Sequence, residues 1–122
     1  MSKEKILIVE DEKDAREMLS AHLLEEGYEV AAASHASEGL IFLREKQVDL
    51  LVTDVRMPGD IDGVELVEIY RKERPHMRVL FITAYPPSGK LKKELTSKWT
   101  DLLRKPFSLD ELSGAVRELL DK

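Results

Sequence analysis

Five short apolar runs recur along the chain, and an amphipathic stretch follows each of them. The runs are Lys5 to Val9 (KILIV), Glu29 to Ala33, Leu50 to Thr53, Val79 to Ile82, and a short one at Leu102 and Leu103. Continuous β-prone runs of this length are what strands look like when both faces are covered. The stretches between them carry apolar residues at helical spacing. Strands separated by helices must run parallel, and right-handed crossovers then wind helices onto both faces of one sheet. The class is therefore α/β, a doubly wound parallel sheet of five strands with five helices. In such sheets chemistry gathers at the carboxyl ends of the strands.

Local signals place the helices. Asp14 to Glu26 presents Ala15, Met18, Leu19 and Leu23, and Gly27 ends it. Ser34 or Ser37 can cap the next helix, which runs to about Lys46 with Leu40 and Leu43 inward. Gly63 to Glu73 puts Val64, Val67 and Tyr70 on one face, with Pro75 closing it. Lys90 to Lys98 reads as a short fourth helix. Ser108 and Glu111 form a capping box for a last helix through Leu112, Val116 and Leu119.

The 122 residues suit one domain, spanning 1–122. A net charge of −5 argues against nucleic acid as a partner, since phosphate backbones reward clustered positive charge. No cysteine is present, so no disulfide framework or thiolate chemistry arises. No apolar run reaches membrane-spanning length and the first residues lack a signal-peptide core, so no membrane partner is expected and the cytoplasm is the default location.

The strand ends carry the chemistry. The first run ends in Glu10-Asp11, followed by Glu12; the third ends in Asp54, the fourth in Thr83, the fifth in Lys105 before Pro106. Taken singly, these read as a solvated acidic loop, a turn aspartate, a β-prone threonine and a surface lysine. Together they deliver carboxylates, a hydroxyl and an amine to one edge of the sheet. Crowded carboxylates repel, so one must take a proton or a cation must sit among them. An all-oxygen site suits Mg²⁺. A carboxylate can also accept a phosphoryl group as an acyl phosphate, with the metal, the lysine and the hydroxyl neutralising charge.

The segments ILIVEDE (6–12), LLVTDVRMPG (50–59), DGVEL (62–66), FITAY (81–85) and KPFSLDEL (105–112) stand in order across nearly the whole chain. Together they resemble the response-regulator receiver family of two-component signalling. The resemblance implies a flavodoxin-like sheet with strand order 2-1-3-4-5. It implies that Asp54 is the phosphoacceptor, and that Asp11, Glu10 and Asp54 with the backbone carbonyl of Arg56 hold Mg²⁺. Thr83 would be the switch hydroxyl, the Ala84 amide would face the phosphoryl group, and Lys105 would be the paired cation, with a cis bond to Pro106. The implied phosphoryl donor is a histidine kinase or phosphotransfer protein. The signal would pass through the face of the fourth helix, fifth strand and fifth helix to an output domain or a downstream protein, and the same face would carry any phosphorylation-dependent homodimer. Such a domain is not an enzyme in the ordinary sense, although it assists its own phosphotransfer and autodephosphorylation.

Several positions depart from the family pattern. Leu102 stands where an aromatic switch residue is usual, three positions before the lysine, and Tyr85 is a candidate to share that role. Arg56 and Tyr85 would flank the acyl phosphate and modulate its hydrolysis. Two residues, not one, separate Gly59 from Asp62-Gly63, and a Pro-Pro-Ser-Gly stretch at 86–89 precedes the fourth helix. That helix should be short, shifted or mobile. Leu91, Leu95 and Trp99 read as a core-facing stripe, with a partner surface anchored by Trp99 as the alternative. Lys90, Lys92, Lys93 and Lys98 read as its solvated face. His22, His35 and His76 have no metal-ligand spacing.

Other classes fit less well. An aspartyl-nucleophile phosphatase typically needs a second carboxylate two residues on, where Arg56 stands. A flavodoxin-like phosphate loop would not carry Glu10-Asp11-Glu12. A non-phosphorylated pseudo-receiver, acting as an interaction module, is the remaining alternative; the full set Asp11, Asp54, Thr83 and Lys105 opposes it, and Leu102 keeps it open.

Overall fold

The computed structural model describes residues 3–122. Five strands, β1 (Lys5–Val9), β2 (Glu29–Ala33), β3 (Leu50–Asp54), β4 (Arg78–Thr83) and β5 (Thr100–Arg104), alternate with five helices. The helices are α1 (Lys13–Glu25), α2 (Ala36–Glu45), α3 (Gly63–Glu73), α4 (Gly89–Glu94) and α5 (Leu109–Leu120). The sheet is parallel throughout, in the order β2-β1-β3-β4-β5.

Strand side chains alternate between faces, and this divides the core in two. Ile6, Ile8, Leu50, Val52, Leu80 and Ile82 point to the side where α1 and α5 supply Leu19, Leu23, Leu112 and Val116. Leu7, Val9, Leu51, Val79 and Phe81 point to the other, under α2, α3 and α4. Both faces of β1, β3 and β4 are buried, which is why those runs are continuously apolar. Each fully buried side chain of this size contributes about 1.5–3 kcal/mol.

The helix ends show where local chemistry was legible. α5 has the capping box foreseen at Ser108 and Glu111. α3 has a second one, with Asp62 accepting from the Glu65 amide and Glu65 accepting from the Asp62 amide. Gly27 ends α1 at φ +98°, a left-handed conformation that favours glycine. Neither Ser34 nor Ser37 caps α2; His35 does, its Nδ1 accepting from the Glu38 amide. Met18 stands half exposed on α1. His22 joins α1 to α5 by a 2.8 Å hydrogen bond between its Nε2 and Ser113 Oγ.

The fourth helix is short, as the Pro-Pro-Ser-Gly stretch foretold, but shorter than Lys90 to Lys98. It ends at Glu94 and gives way to turns through Thr96 and Ser97. The stripe therefore breaks: Leu91 is buried and Leu95 packs on the same core, while Trp99 lies beyond the helix. The Trp99 ring sits instead among Arg78, Lys98 and His76, at centroid distances of 4.7–5.4 Å.

Candidate functional site

The parallel register sets the carboxyl ends of β1, β3, β4 and β5 side by side. Val9 pairs with Thr53, Asp54 with Ile82, and Thr83 with Arg104. The chain leaving β5 keeps this alignment for one more residue, the Lys105 amide donating to the Thr83 carbonyl at 2.9 Å. Glu10 does the same after β1, donating to the Ala33 carbonyl at 3.1 Å. Residues 95 positions apart in sequence thus meet through backbone ladders alone.

One carboxylate oxygen from each of Glu10, Asp11 and Asp54 lies within 4.8 Å of the others. Glu10 is only 2% exposed, Asp54 is partly buried, and Asp11 is open to solvent. Lys105 Nζ stands 3.3 Å from Asp54 Oδ2 and 3.5 Å from Glu10 Oε1. The other Asp54 oxygen, Oδ1, accepts from the Val55 amide at 2.8 Å, which fixes the carboxylate's rotation.

Burial raises the pKa of Glu10, and the neighbouring Asp54 charge raises it further; the Glu12 amide and Lys105 only partly offset this. Burial alone would lower the Lys105 ammonium, but attraction by Asp54 and Glu10 prevails and its pKa is raised. Three carboxylates face one ammonium, so negative charge remains in excess. The donors are hard oxygens, one of them open to water, and that is a fitting environment for Mg²⁺.

Thr83 is buried at the end of β4, and its Oγ accepts from the Tyr85 amide at 3.1 Å. That bond occupies a lone pair and leaves the hydroxyl proton to donate elsewhere. Ala84 follows, exposed, its carbonyl accepting from Arg104 at 3.3 Å. Arg56, two residues beyond Asp54, is exposed and stacks its guanidinium 4.7 Å from the Tyr85 ring centre. Together they border a cavity of about 260 Å³ that reaches Thr83, Val64 and Leu91. Leu102 is partly buried and packs against the core beneath α2, α3 and α4. The Lys105–Pro106 bond is cis.

Three contributors were not singled out from sequence. Glu12 is the N-cap of α1, accepting from the Asp14 and Ala15 amides. Its place just ahead of the amphipathic stretch that opens at Asp14 could have suggested it, although glutamate is not a usual capping residue. Arg16 reaches back from α1 to the carbonyls of Glu10 and Asp11, at 2.9 and 3.3 Å, and braces the acidic loop. Gly63 lets α3 start against the Asp54 backbone; a Cβ there would lie 1.8 Å from the Asp54 carbonyl oxygen. Only the fold discloses those last two.

Residues 6–117 match the response regulator receiver domain family. The chain is a response-regulator receiver. Its sheet order, its five helices and its cluster of Glu10, Asp11 and Asp54 agree with that assignment. The receiver is 38% identical to the response regulator protein FleR of Pseudomonas aeruginosa over 92% of its own length, but spans only 24% of FleR. It spans 24% of the putative NtrX-like response regulators of two Rickettsia species as well. Against sporulation initiation phosphotransferase F of Bacillus subtilis the match is 33% identical and covers 98% of this chain and 96% of that one. Among solved structures, a CheY-like receiver domain protein from Methanospirillum hungatei superposes with a TM-score of 0.90 at 32% identity, covering 98% and 95% of the two chains. The response regulator TrrA of Thermotoga maritima, solved in complex with Mg²⁺ and beryllofluoride, gives 0.81 at 34% identity, covering 95% and 98%. No described helix of the receiver is long and apolar enough to cross a membrane.

Proposed function

We propose that residues 1–122 form one phosphoacceptor switch, in which Asp54 takes a phosphoryl group from a histidine kinase or phosphotransfer protein. The observation that carries this reading is the meeting of Asp54 with Glu10, Asp11 and the Lys105 ammonium at one end of the sheet. Glu10, Asp11, Asp54 and the Arg56 carbonyl would hold Mg²⁺. When bound, that ion supplies charge neutralisation for the carboxylates and the phosphoryl oxygens.

The chain's own groups do the rest. An Asp54 carboxylate oxygen attacks phosphorus; the new O–P bond forms as the donor's N–P bond breaks, and the imidazole leaves with the electron pair. Charge on the transferred group's oxygens meets the Lys105 ammonium, the Thr83 hydroxyl proton and the Ala84 amide. As the Thr83 side chain turns toward phosphorus, its bond from the Tyr85 amide is strained. The β4–α4 connection is thereby biased, and with it the α4–β5–α5 face presented to an output domain or a downstream protein.

The stacked Arg56 and Tyr85 side chains screen one approach to the acyl phosphate. Tyr85→Ala and Arg56→Asn should each shorten the phosphorylated lifetime several-fold, followed by loss of the phosphoryl mass after the donor is removed. Lifetimes equal to wild type in both variants would show that the stack screens nothing.

The reading as a whole is tested by incubation with acetyl phosphate, with and without Mg²⁺, and weighing of the intact protein. A single phosphoryl adduct that requires Mg²⁺ and vanishes in Asp54→Asn is expected. No adduct in the wild-type protein would favour the pseudo-receiver.

A further inference from the structure

α4 has six residues, far too few to hold together by itself. Its N-cap, Ser88, makes no side-chain capping bond. Leu91 anchors it to the core, and two charge pairs tie it to α3. One pair, Lys90 with Glu68, lies largely in solvent, with 68% of the lysine side chain exposed. Exposed pairs of that kind restrain little.

The other pair is built differently. Arg71 and Glu94 stand 3.6 Å apart with side chains only 15% and 16% exposed. The same guanidinium donates to the Met77 carbonyl at 2.6 Å and to Thr100 Oγ1 at 2.8 Å. One side chain therefore touches the residue before β4, the last residue of α4 and the first of β5. Burial lowers the Arg71 pKa, opposed by Glu94, and its Nε is buried without a partner. So costly a placement is maintained by the three contacts it makes.

The opposite end of α4 is connected to the phosphoacceptor site. The Tyr85 amide donates to Thr83 Oγ, and only Pro86, Pro87 and Ser88 separate Tyr85 from the helix. α4 is thus a short rod with one end hung on Thr83 and the other gripped by Arg71. Given the phosphoacceptor reading, on which this rests, we propose that Arg71 is a positioning residue that grips Glu94 to hold α4 in its unphosphorylated arrangement, so that breaking the grip makes the switch easier to throw.

Glu94→Gln removes the charge and keeps the side chain's shape. Hydrogen exchange of the α4 amides should quicken about tenfold or more while sheet amides keep their protection. Beryllofluoride, titrated with Mg²⁺ as the phosphoryl analogue, should bind the variant about fivefold more tightly than wild type, the low end of ordinary coupling between sites. Lys90→Gln, which breaks only the exposed pair, should leave both readings within about twofold of wild type. Unchanged α4 exchange in Glu94→Gln overturns the proposal. Faster exchange with unchanged beryllofluoride affinity also overturns it, since Arg71 would then merely stabilise a helix, as does an equal response in Lys90→Gln. A wild-type protein that takes up no beryllofluoride overturns the phosphoacceptor reading, and the grip with it; equal uptake by wild type and Glu94→Gln overturns the grip alone.

Discussion

Gly63→Ala will unfold the receiver at a temperature about 10 °C lower than wild type, equivalent to roughly 3 kcal/mol. A Cβ at this position would lie 1.8 Å from the Asp54 carbonyl oxygen, 3.0 Å from its carbonyl carbon and 2.9 Å from Thr53 Oγ1. Two of those atoms are backbone and have no rotamer in which to escape. The first turn of α3 is fixed as well, by the capping box of Asp62 and Glu65 and by the Gly63 amide donating to the Val55 carbonyl at 3.1 Å. Relief must come from the end of β3, which is Asp54 itself. The substitution should therefore also slow phosphorylation by acetyl phosphate, in protein shown to be folded at the assay temperature. Gly39 is an instructive contrast. A Cβ there would meet Val9 Cγ2 at 2.8 Å, a side-chain methyl with no backbone atom in the way, and Gly39→Ala should cost less. Thermal unfolding of the two variants side by side checks this; equal midpoints would show that close approach at Gly63 does not constrain the fold.

Lys105→Met will slow phosphoryl transfer to Asp54 from acetyl phosphate by about 10²-fold, the usual effect of removing one preorganised donor aimed at developing charge. The methionine keeps the aliphatic stem and removes the ammonium. No other cation among the described residues pairs with Asp54 or Glu10 within 4.0 Å. Loss of the amine leaves buried Glu10 without its counter-charge, so the raised pKa of that carboxyl should rise further. Phosphorylation time courses followed by intact mass measure the rate. A variant with the wild-type rate would mean that the amine only neutralises the resting site.

Much of this was legible in the sequence because strand burial writes itself in composition. Runs such as Ile6–Val9 and Val79–Ile82 are short, β-prone and apolar at every position, as a sheet covered on both faces requires. Once the runs are strands, parallel pairing follows, and Glu10, Asp54, Thr83 and Lys105 must arrive at one edge. The less legible parts depend on contacts between segments with no local signature. Arg16 bracing the Glu10 and Asp11 carbonyls, and Arg71 joining Met77, Glu94 and Thr100, look in sequence like ordinary charged positions on helices. The early end of α4 is hidden in the sequence for a related reason. Leu91, Leu95 and Trp99 keep helical spacing, but Trp99 is held by Arg78 and Lys98, and its backbone amide donates to Ser97 Oγ in a turn. His35 capped α2 in place of the serines beside it because its ring nitrogen reached the Glu38 amide.

The central claim is that the group modified is the carboxylate closing β3. Treating the protein with acetyl phosphate and Mg²⁺, trapping the acyl phosphate by borohydride reduction to the alcohol, and sequencing the peptides by mass spectrometry locates it. The account predicts a reduced side chain at Asp54 and nowhere else. Reduction at Asp11, Asp62 or another carboxylate, with Asp54 intact, would contradict it.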